Sequence, residues 1–181
     1  MIRIHTQQEL YQWLQSQSVQ TNLWGRASAK TVQDLWREIE FGETTLTAAP
    51  ATRHVRVVSL LIKQDGKRLI ELSQQLHDGR IRRRNHLPSE KFKAGEDWQT
   101  AAMRCLLEEL HIEPHQVMLD LGSHTEGYET KESLSFPTLL SRYEFHRVEA
   151  AVDGLPNRDF CVANKANAET DAIVKHWWGW R

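Results

Sequence analysis

Two stretches near the start of the chain repeat their apolar residues with the spacing of amphipathic helices. The first covers residues 8–15 and follows Thr6, a candidate N-cap. In the second, either Ser28 or Thr31 is suited to cap the first turn. The apolar positions of the two stretches are Leu10, Trp13 and Leu14, and Val32, Leu35, Trp36 and Ile39, respectively. This pattern predicts an N-terminal helical extension over residues 1–50.

After this extension the pattern changes to that of strands. A small, polar, proline-containing stretch at residues 47–52 separates the two regions, so we place the start of a main domain, residues 53–181, after it. Residues 55–62 are almost continuously apolar, as in a strand buried on both faces. Asp65-Gly66 and His77-Asp78-Gly79 have the composition of tight turns. Further candidate strands cover residues 68–72, 81–85, 117–121, 139–145 and 160–163. Strands around a helical segment predict a mixed α/β layer structure.

Charge and composition exclude several functional classes. The 23 lysines and arginines nearly balance the 24 acidic residues, which gives no electrostatic case for a dedicated nucleic-acid or membrane-surface binder. No apolar run approaches the roughly 18 residues of a membrane span. The two cysteines, Cys105 and Cys161, lie far apart and fit a reducing compartment. We therefore expect a cytoplasmic protein without a membrane partner, and we do not expect a nucleic-acid partner.

Residues 87–112 carry the most informative motif. Leu87-Pro88 leads to the turn Ala94-Gly95-Glu96, and a predicted helix then ends in Arg104-Cys105-Leu106-Leu107-Glu108-Glu109-Leu110-His111-Ile112. The segment resembles the Nudix box, in which a glycine, five residues, a glutamate and seven residues precede Arg-Glu-apolar-x-Glu-Glu-x-Gly-apolar. The alignment needs no gap and covers about 26 residues. The resemblance implies a Nudix-like α/β/α sandwich with a mixed β-sheet.

In that family the glutamates of the box hold Mg²⁺ or Mn²⁺, which polarises a pyrophosphate and helps to generate the attacking water. The resemblance therefore implies Glu96, Glu108 and Glu109 as metal ligands. It also implies Glu108 and Glu109 as catalytic residues, with Arg104 orienting a carboxylate as in the family. The ligand it implies is a small phosphorylated molecule, a nucleoside diphosphate linked to another moiety or a related metabolite.

Three positions depart from the box. Glu90 stands at the first glycine, Cys105 replaces the glutamate after the arginine, and His111 replaces the second glycine. Positions 105, 108 and 109 share one face of a helix, so only two carboxylates remain where the family aims three at a metal. A thiol is a poor ligand for a hard cation.

The sequence supports two functional hypotheses. The first is a Nudix-fold protein with a degenerate box that binds the phosphorylated ligand with weak or lost pyrophosphohydrolase activity. The alternative is an active Mg²⁺- or Mn²⁺-dependent Nudix hydrolase, in which Glu96, Glu108 and Glu109 still hold one ion. The sequence leaves the oligomeric state open and is compatible with a homodimer.

A basic cluster precedes the box. If residues 81–85 are extended, Arg82 and Arg84 point to one face of the strand and Arg83 to the other. Two guanidiniums on one face are suited to bind a phosphate group of the ligand. The alternative is a solvated face whose arginines pair with Glu71 or with neighbouring acids.

Two segments outside the box also have functional interpretations. The aromatic stretch at residues 176–181 either stacks a base or packs against the domain, and packing is the better supported of the two. Residues 128–138 are predicted to be a polar loop between strands, where Glu129 or Glu132 would be placed to supply a missing carboxylate.

Overall fold

The computed structural model describes residues 1–26, 29–76, 79–164 and 173–181. The candidate cap Ser28 and the predicted turn residues His77 and Asp78 lie outside the described residues. In the part of the chain that is described there are three α-helices, which are α1 (Gln7–Ser16), α2 (Val32–Glu40) and α3 (Trp98–Leu110). Short 3₁₀ turns cover Thr21–Leu23 and Pro114–Gln116.

The strands form a mixed β-sheet in the order β6-β7-β2-β3-β9-β8, with β1 and β5 pairing with β2 and β4 pairing with β3. They are β1 (Thr45–Thr47), β2 (Thr52–Gln64), β3 (Lys67–Leu76), β4 (Ile81–His86), β5 (Ser89–Lys91), β6 (Val117–Glu132), β7 (Leu140–Val152), β8 (Phe160–Ala163) and β9 (Ile173–Trp180). The predicted α/β fold class with a mixed sheet is confirmed. No helix among the described residues is long and apolar enough to cross a membrane.

The chain divides into two compact units. Unit 1 comprises residues 1–57, 91–96 and 126–145, and unit 2 comprises residues 58–90, 97–125 and 146–181. The boundary predicted between residues 50 and 53 remains a prediction.

The two helices of unit 1 begin at the threonines that the sequence indicates. The Thr6 hydroxyl accepts a hydrogen bond from the Glu9 amide at 3.1 Å. Thr31 and Asp34 form a reciprocal capping box, with hydrogen bonds of 3.1 and 2.7 Å. The apolar stripes of these helices enter a core made of Leu10, Leu14, Val19, Trp24, Leu35, Leu46, Phe136 and Leu139. The extension therefore folds against residues from a distant part of the chain.

A buried ionic cluster lies within unit 1. The carboxylate of Glu38 is 2.7 Å from Lys30, 2.5 Å from Arg53 and 2.7 Å from Lys91. Glu38 and Arg53 are both buried. Burial opposes ionisation of Glu38, but the charges of Lys91, Lys30 and Arg53 together lower its pKa well below the usual value. Glu38 is therefore ionised in the folded protein and neutralises cations from three segments of the chain.

In unit 2, α3 carries the box-like segment and ends at His111. The Asp97 carboxylate caps its first turn by accepting from the Thr100 amide at 2.8 Å. His111 has φ +56° and ψ +36°, so it occupies the left-handed conformation that favours glycine at a helix C-terminus. The Nudix box has a glycine at this position, and the left-handed backbone of His111 explains why a glycine fits there.

The strand pattern missed the short strands β1 and β5 and failed at two further places. The structure extends β6 to Glu132, so the predicted loop over residues 128–138 is wrong for Tyr128–Glu132, and only the residues after Glu132 leave the sheet. Most side chains of β6 are exposed, so its sequence lacks the alternation that identifies a half-buried strand. Strand β9, which contains most of the aromatic tail, was also missed. Trp178 and Trp180 are buried, in agreement with packing.

We expect Glu38→Gln to lower the free energy of unfolding by roughly 3 kcal/mol at pH 7, because Lys30, Arg53 and Lys91 lose the carboxylate that they share. The folded pKa of Glu38 is lowered, so its stabilisation is complete above the ordinary value of 4.5 and declines as the pH falls through the folded pKa. Urea unfolding at pH 7 and at lower pH should show the gap between wild type and variant closing in acid. Glu40→Gln, an exposed change in the same helix, is the matched control. A gap that does not depend on pH would contradict this account of Glu38.

A second prediction concerns His111. Glycine adopts the left-handed conformation at little cost, whereas alanine keeps the strain, and both substitutions remove the imidazole. His111→Gly should therefore be more stable than His111→Ala by about 1 kcal/mol, measured by urea unfolding of the two variants side by side. Equal free energies of unfolding would show that the left-handed backbone at this position does not destabilise the protein.

Candidate active site

Helix α3 presents Arg104 to two carboxylates. Its Nη1 atom lies 3.2 Å from Glu90 and 3.3 Å from Glu108, which is one turn further along the helix. Glu90, at the position of the first box glycine, thus contributes a negative charge beside the arginine. The predicted ion pair between Arg104 and Glu108 is present, but Arg104 divides its interaction between Glu108 and Glu90.

The cysteine of the box is fully buried. The Cys105 thiol lies 4.0 Å from the Glu109 carboxylate and is oriented to donate to it. Burial, followed by the charges of Glu109 and Glu90, raises the pKa of Cys105 well above its usual value. Burial, followed by the charges of Glu90 and Glu71, also raises the pKa of Glu109 well above its usual value. The thiol is therefore protonated at neutral pH, and the neighbouring carboxyl group resists ionisation.

These groups fit a divalent cation poorly. Within residues 1–26, 29–76, 79–164 and 173–181, no group of three or more His, Cys, Asp or Glu side chains is placed to hold a metal ion. Mg²⁺ and Mn²⁺ require several ionised oxygen ligands, whereas this face of α3 offers a neutral thiol, the carboxyl of Glu109 and the partly engaged carboxylate of Glu108. The third predicted ligand, Glu96, belongs to unit 1, where its carboxylate accepts from the Lys93 amide at 2.7 Å.

A second set of polar residues lies on β3 and its neighbours in unit 2. The buried carboxylate of Glu71 is 3.0 Å from Arg84 Nε and 2.5 Å from His176 Nδ1. Burial alone would raise the pKa of Glu71, but the hydrogen bond from His176 and the charge of Arg84 bring it below its usual value. Because an ionised carboxylate can only accept, His176 Nδ1 carries the proton of this hydrogen bond.

The two predicted phosphate-binding arginines differ in their surroundings. Along β4, Arg82 and Arg84 are half-buried and Arg83 is exposed, which agrees with the predicted alternation of faces. Arg84 is paired with Glu71, as the alternative interpretation of the sequence anticipates. Arg82 makes no hydrogen bond or ion pair with the part of the chain that the structure describes.

An irregularity of the sheet explains the position of Glu71. The pairing of β3 with β9 shifts between Glu71 and Ser73, so Leu72 is an extra residue in β3. Beyond this bulge Gln74 lies opposite His176, and before it Glu71 lies opposite Trp178. The bulge therefore puts Glu71 and Gln74, three residues apart, on the same face of the sheet. No sequence signal marks this bulge, which is why His176 and Gln74 were missed as site residues.

Unit 1 also contains a cavity of about 580 Å³, whose walls include Ile2, Ile4, Phe92 and Arg56. The Arg56 guanidinium lies 4.3 Å from the centre of the Phe92 ring and 2.9 Å from the Glu144 carboxylate. Of the two arginines that line this cavity, Arg3 and Arg56, Arg56 is thus already paired within the protein.

Several solved structures match this chain. An Ap4A hydrolase from C. elegans, in a binary complex, is 18% identical, and the match covers 68% of this chain and 77% of that chain with a TM-score of 0.34. A NUDIX hydrolase from Nitrosomonas europaea is 19% identical, with 68% and 70% of the two chains covered and a TM-score of 0.42. The protein DR0079 from Deinococcus radiodurans is 17% identical, with 67% and 65% covered and a TM-score of 0.32.

No protein-family model matches the chain, and no curated protein matches it at a significant level. At these identities and TM-scores, the similarity to solved structures assigns no substrate and no activity. In its box-like segment and in these matches, the chain is similar to the Nudix hydrolases.

Proposed function

We propose that this protein binds a nucleoside-diphosphate-linked or related phosphorylated small molecule and has weak or no pyrophosphohydrolase activity. The observation that carries the proposal is Cys105, a fully buried thiol beside Glu109 at the position of a family metal ligand. A cation at this place would lack one carboxylate and would meet a buried thiol, which is a poor ligand for a hard ion.

The remaining residues of the box keep supporting roles in this proposal. Glu96, Glu108 and Glu109 are the ligands that would hold Mg²⁺ or Mn²⁺ if any is bound, and the ion would polarise the diphosphate. Arg104 orients Glu108, and its second contact with Glu90 offsets part of the acidic charge on this face. Residual hydrolysis would thus depend on Glu108 and Glu109.

Phosphate binding in this proposal relies on the guanidiniums that precede the box. Arg82 and Arg84 share one half-buried face of β4, and guanidinium groups bind phosphate oxygens through paired hydrogen bonds. A ligand held there requires no metal, so binding and hydrolysis are separable in this protein.

We expect the wild-type protein with Mg²⁺ or Mn²⁺ to release no phosphate or nucleoside monophosphate above the uncatalysed rate from ADP-ribose, UDP-glucose or diadenosine tetraphosphate. Cys105→Glu should restore turnover by supplying the third carboxylate, whereas the matched variant Cys105→Ala should remain inactive. Phosphate release and product chromatography are the measurements.

Wild-type turnover that disappears in Glu108→Gln would contradict the proposal and favour the alternative, an active hydrolase. This outcome is informative even if Cys105→Glu fails to fold, because it depends on the wild-type protein and on an exposed position.

A further inference from the structure

A row of three polar side chains crosses strands β4, β3 and β9. Gln74 lies directly opposite Arg82 on one side and directly opposite His176 on the other, and both strand pairings are antiparallel. Directly opposed residues of antiparallel strands project from the same face, so Arg82, Gln74 and His176 lie side by side. Arg84 and Glu71 occupy the same face next to this row.

The interior of this face leaves polar atoms without hydrogen-bond partners. Gln74 Oε1, His176 Nε2 and Trp178 Nε1 are buried and make no hydrogen bond with the described residues. More than nine in ten buried polar groups in proteins are hydrogen-bonded, so three such atoms on two neighbouring strands are unusual. Gln74 Oε1 can only accept, and a buried acceptor without a hydrogen bond destabilises the folded protein.

The charged side chains at this row differ in whether they are already paired within the protein. Glu71 is occupied by Arg84 and His176, which fixes the imidazole through Nδ1. Arg82 has no such partner among the residues that the structure covers, although it is half-buried on the same face. The row therefore combines an available guanidinium, which binds anions, with an adjacent amide oxygen, which binds a hydrogen-bond donor.

We infer that Arg82 and Gln74 form the ligand-recognition subsite of this protein, with Arg82 binding a phosphate group and Gln74 accepting a hydrogen bond from a hydroxyl or amino group of the same ligand. Arg84 is already engaged by Glu71 through Nε, so the principal phosphate contact of this subsite is assigned to Arg82. The inference rests on the proposed function and narrows its ligand to phosphate esters that carry a nearby donor, as nucleotides and sugar phosphates do.

The test compares two probes, inorganic pyrophosphate and ADP, by isothermal titration calorimetry without a divalent cation. Arg82→Met should weaken binding of both probes by about 10-fold or more, since a hydrogen bond to a charged group is lost. Gln74→Met should weaken binding of ADP more than binding of pyrophosphate, by roughly 5-fold, because pyrophosphate lacks the hydroxyl and amino donors of the nucleoside. Arg83→Met, an exposed change on the opposite face of the same strand, is the matched control and should affect neither probe.

Each variant is first compared with the wild type by urea unfolding, so that loss of the fold is not read as loss of binding. If wild type binds the probes but Arg82→Met and Arg83→Met bind pyrophosphate equally well, the inference is wrong and the proposed function stands. If Gln74→Met binds ADP as wild type does, Gln74 has only a structural place in the sheet and the donor requirement is wrong. If wild type binds neither probe, the proposed function fails together with the inference.

Discussion

The buried carboxylate of Glu71 is the constraint on which the arrangement of unit 2 depends. A charge removed from water must be paired, and Glu71 takes its partners from two strands, Arg84 on β4 and His176 on β9. The bulge at Leu72 is what turns Glu71 towards the face that carries both of them. Once these contacts are made, the two half-buried arginines of β4 are no longer equivalent, because Arg84 forms an ion pair with Glu71, whereas Arg82 forms no ion pair with a residue that the structure describes.

The same carboxylate bears on the box-like helix. Its charge, after burial and Glu90, contributes to raising the pKa of Glu109, and it also raises the pKa of Cys105. Glu90 has a second effect through its ion pair with Arg104. The departure at position 90 therefore disfavours an ionised carboxylate at Glu109, and the departure at position 105 removes a carboxylate from the same helix face. We propose that a protein with such a helix face binds its ligand and hydrolyses it weakly or not at all.

Local chemistry explains how far the sequence predicts the fold. Features that depend on residues close together in the sequence were predictable. They are the threonine caps of α1 and α2, the strand at residues 160–163 and the alternation of Arg82, Arg83 and Arg84. The long strand β6 and the aromatic strand β9 were not, because exposed strands lack alternation and a tryptophan-rich tail fits a strand or a packed coil equally well. The pairing of Glu71 with His176 joins residues 105 positions apart through a bulge, which no periodicity reveals.

The most direct test of the proposed loss of the metal site is a crystal structure of the protein soaked with Mn²⁺, examined by anomalous scattering. The account predicts no manganese peak between Glu96, Glu108 and Glu109, with Arg104 retaining its contacts to Glu90 and Glu108. A fully occupied manganese ion coordinated by these three carboxylates would contradict it and would restore the case for a metal-dependent hydrolase.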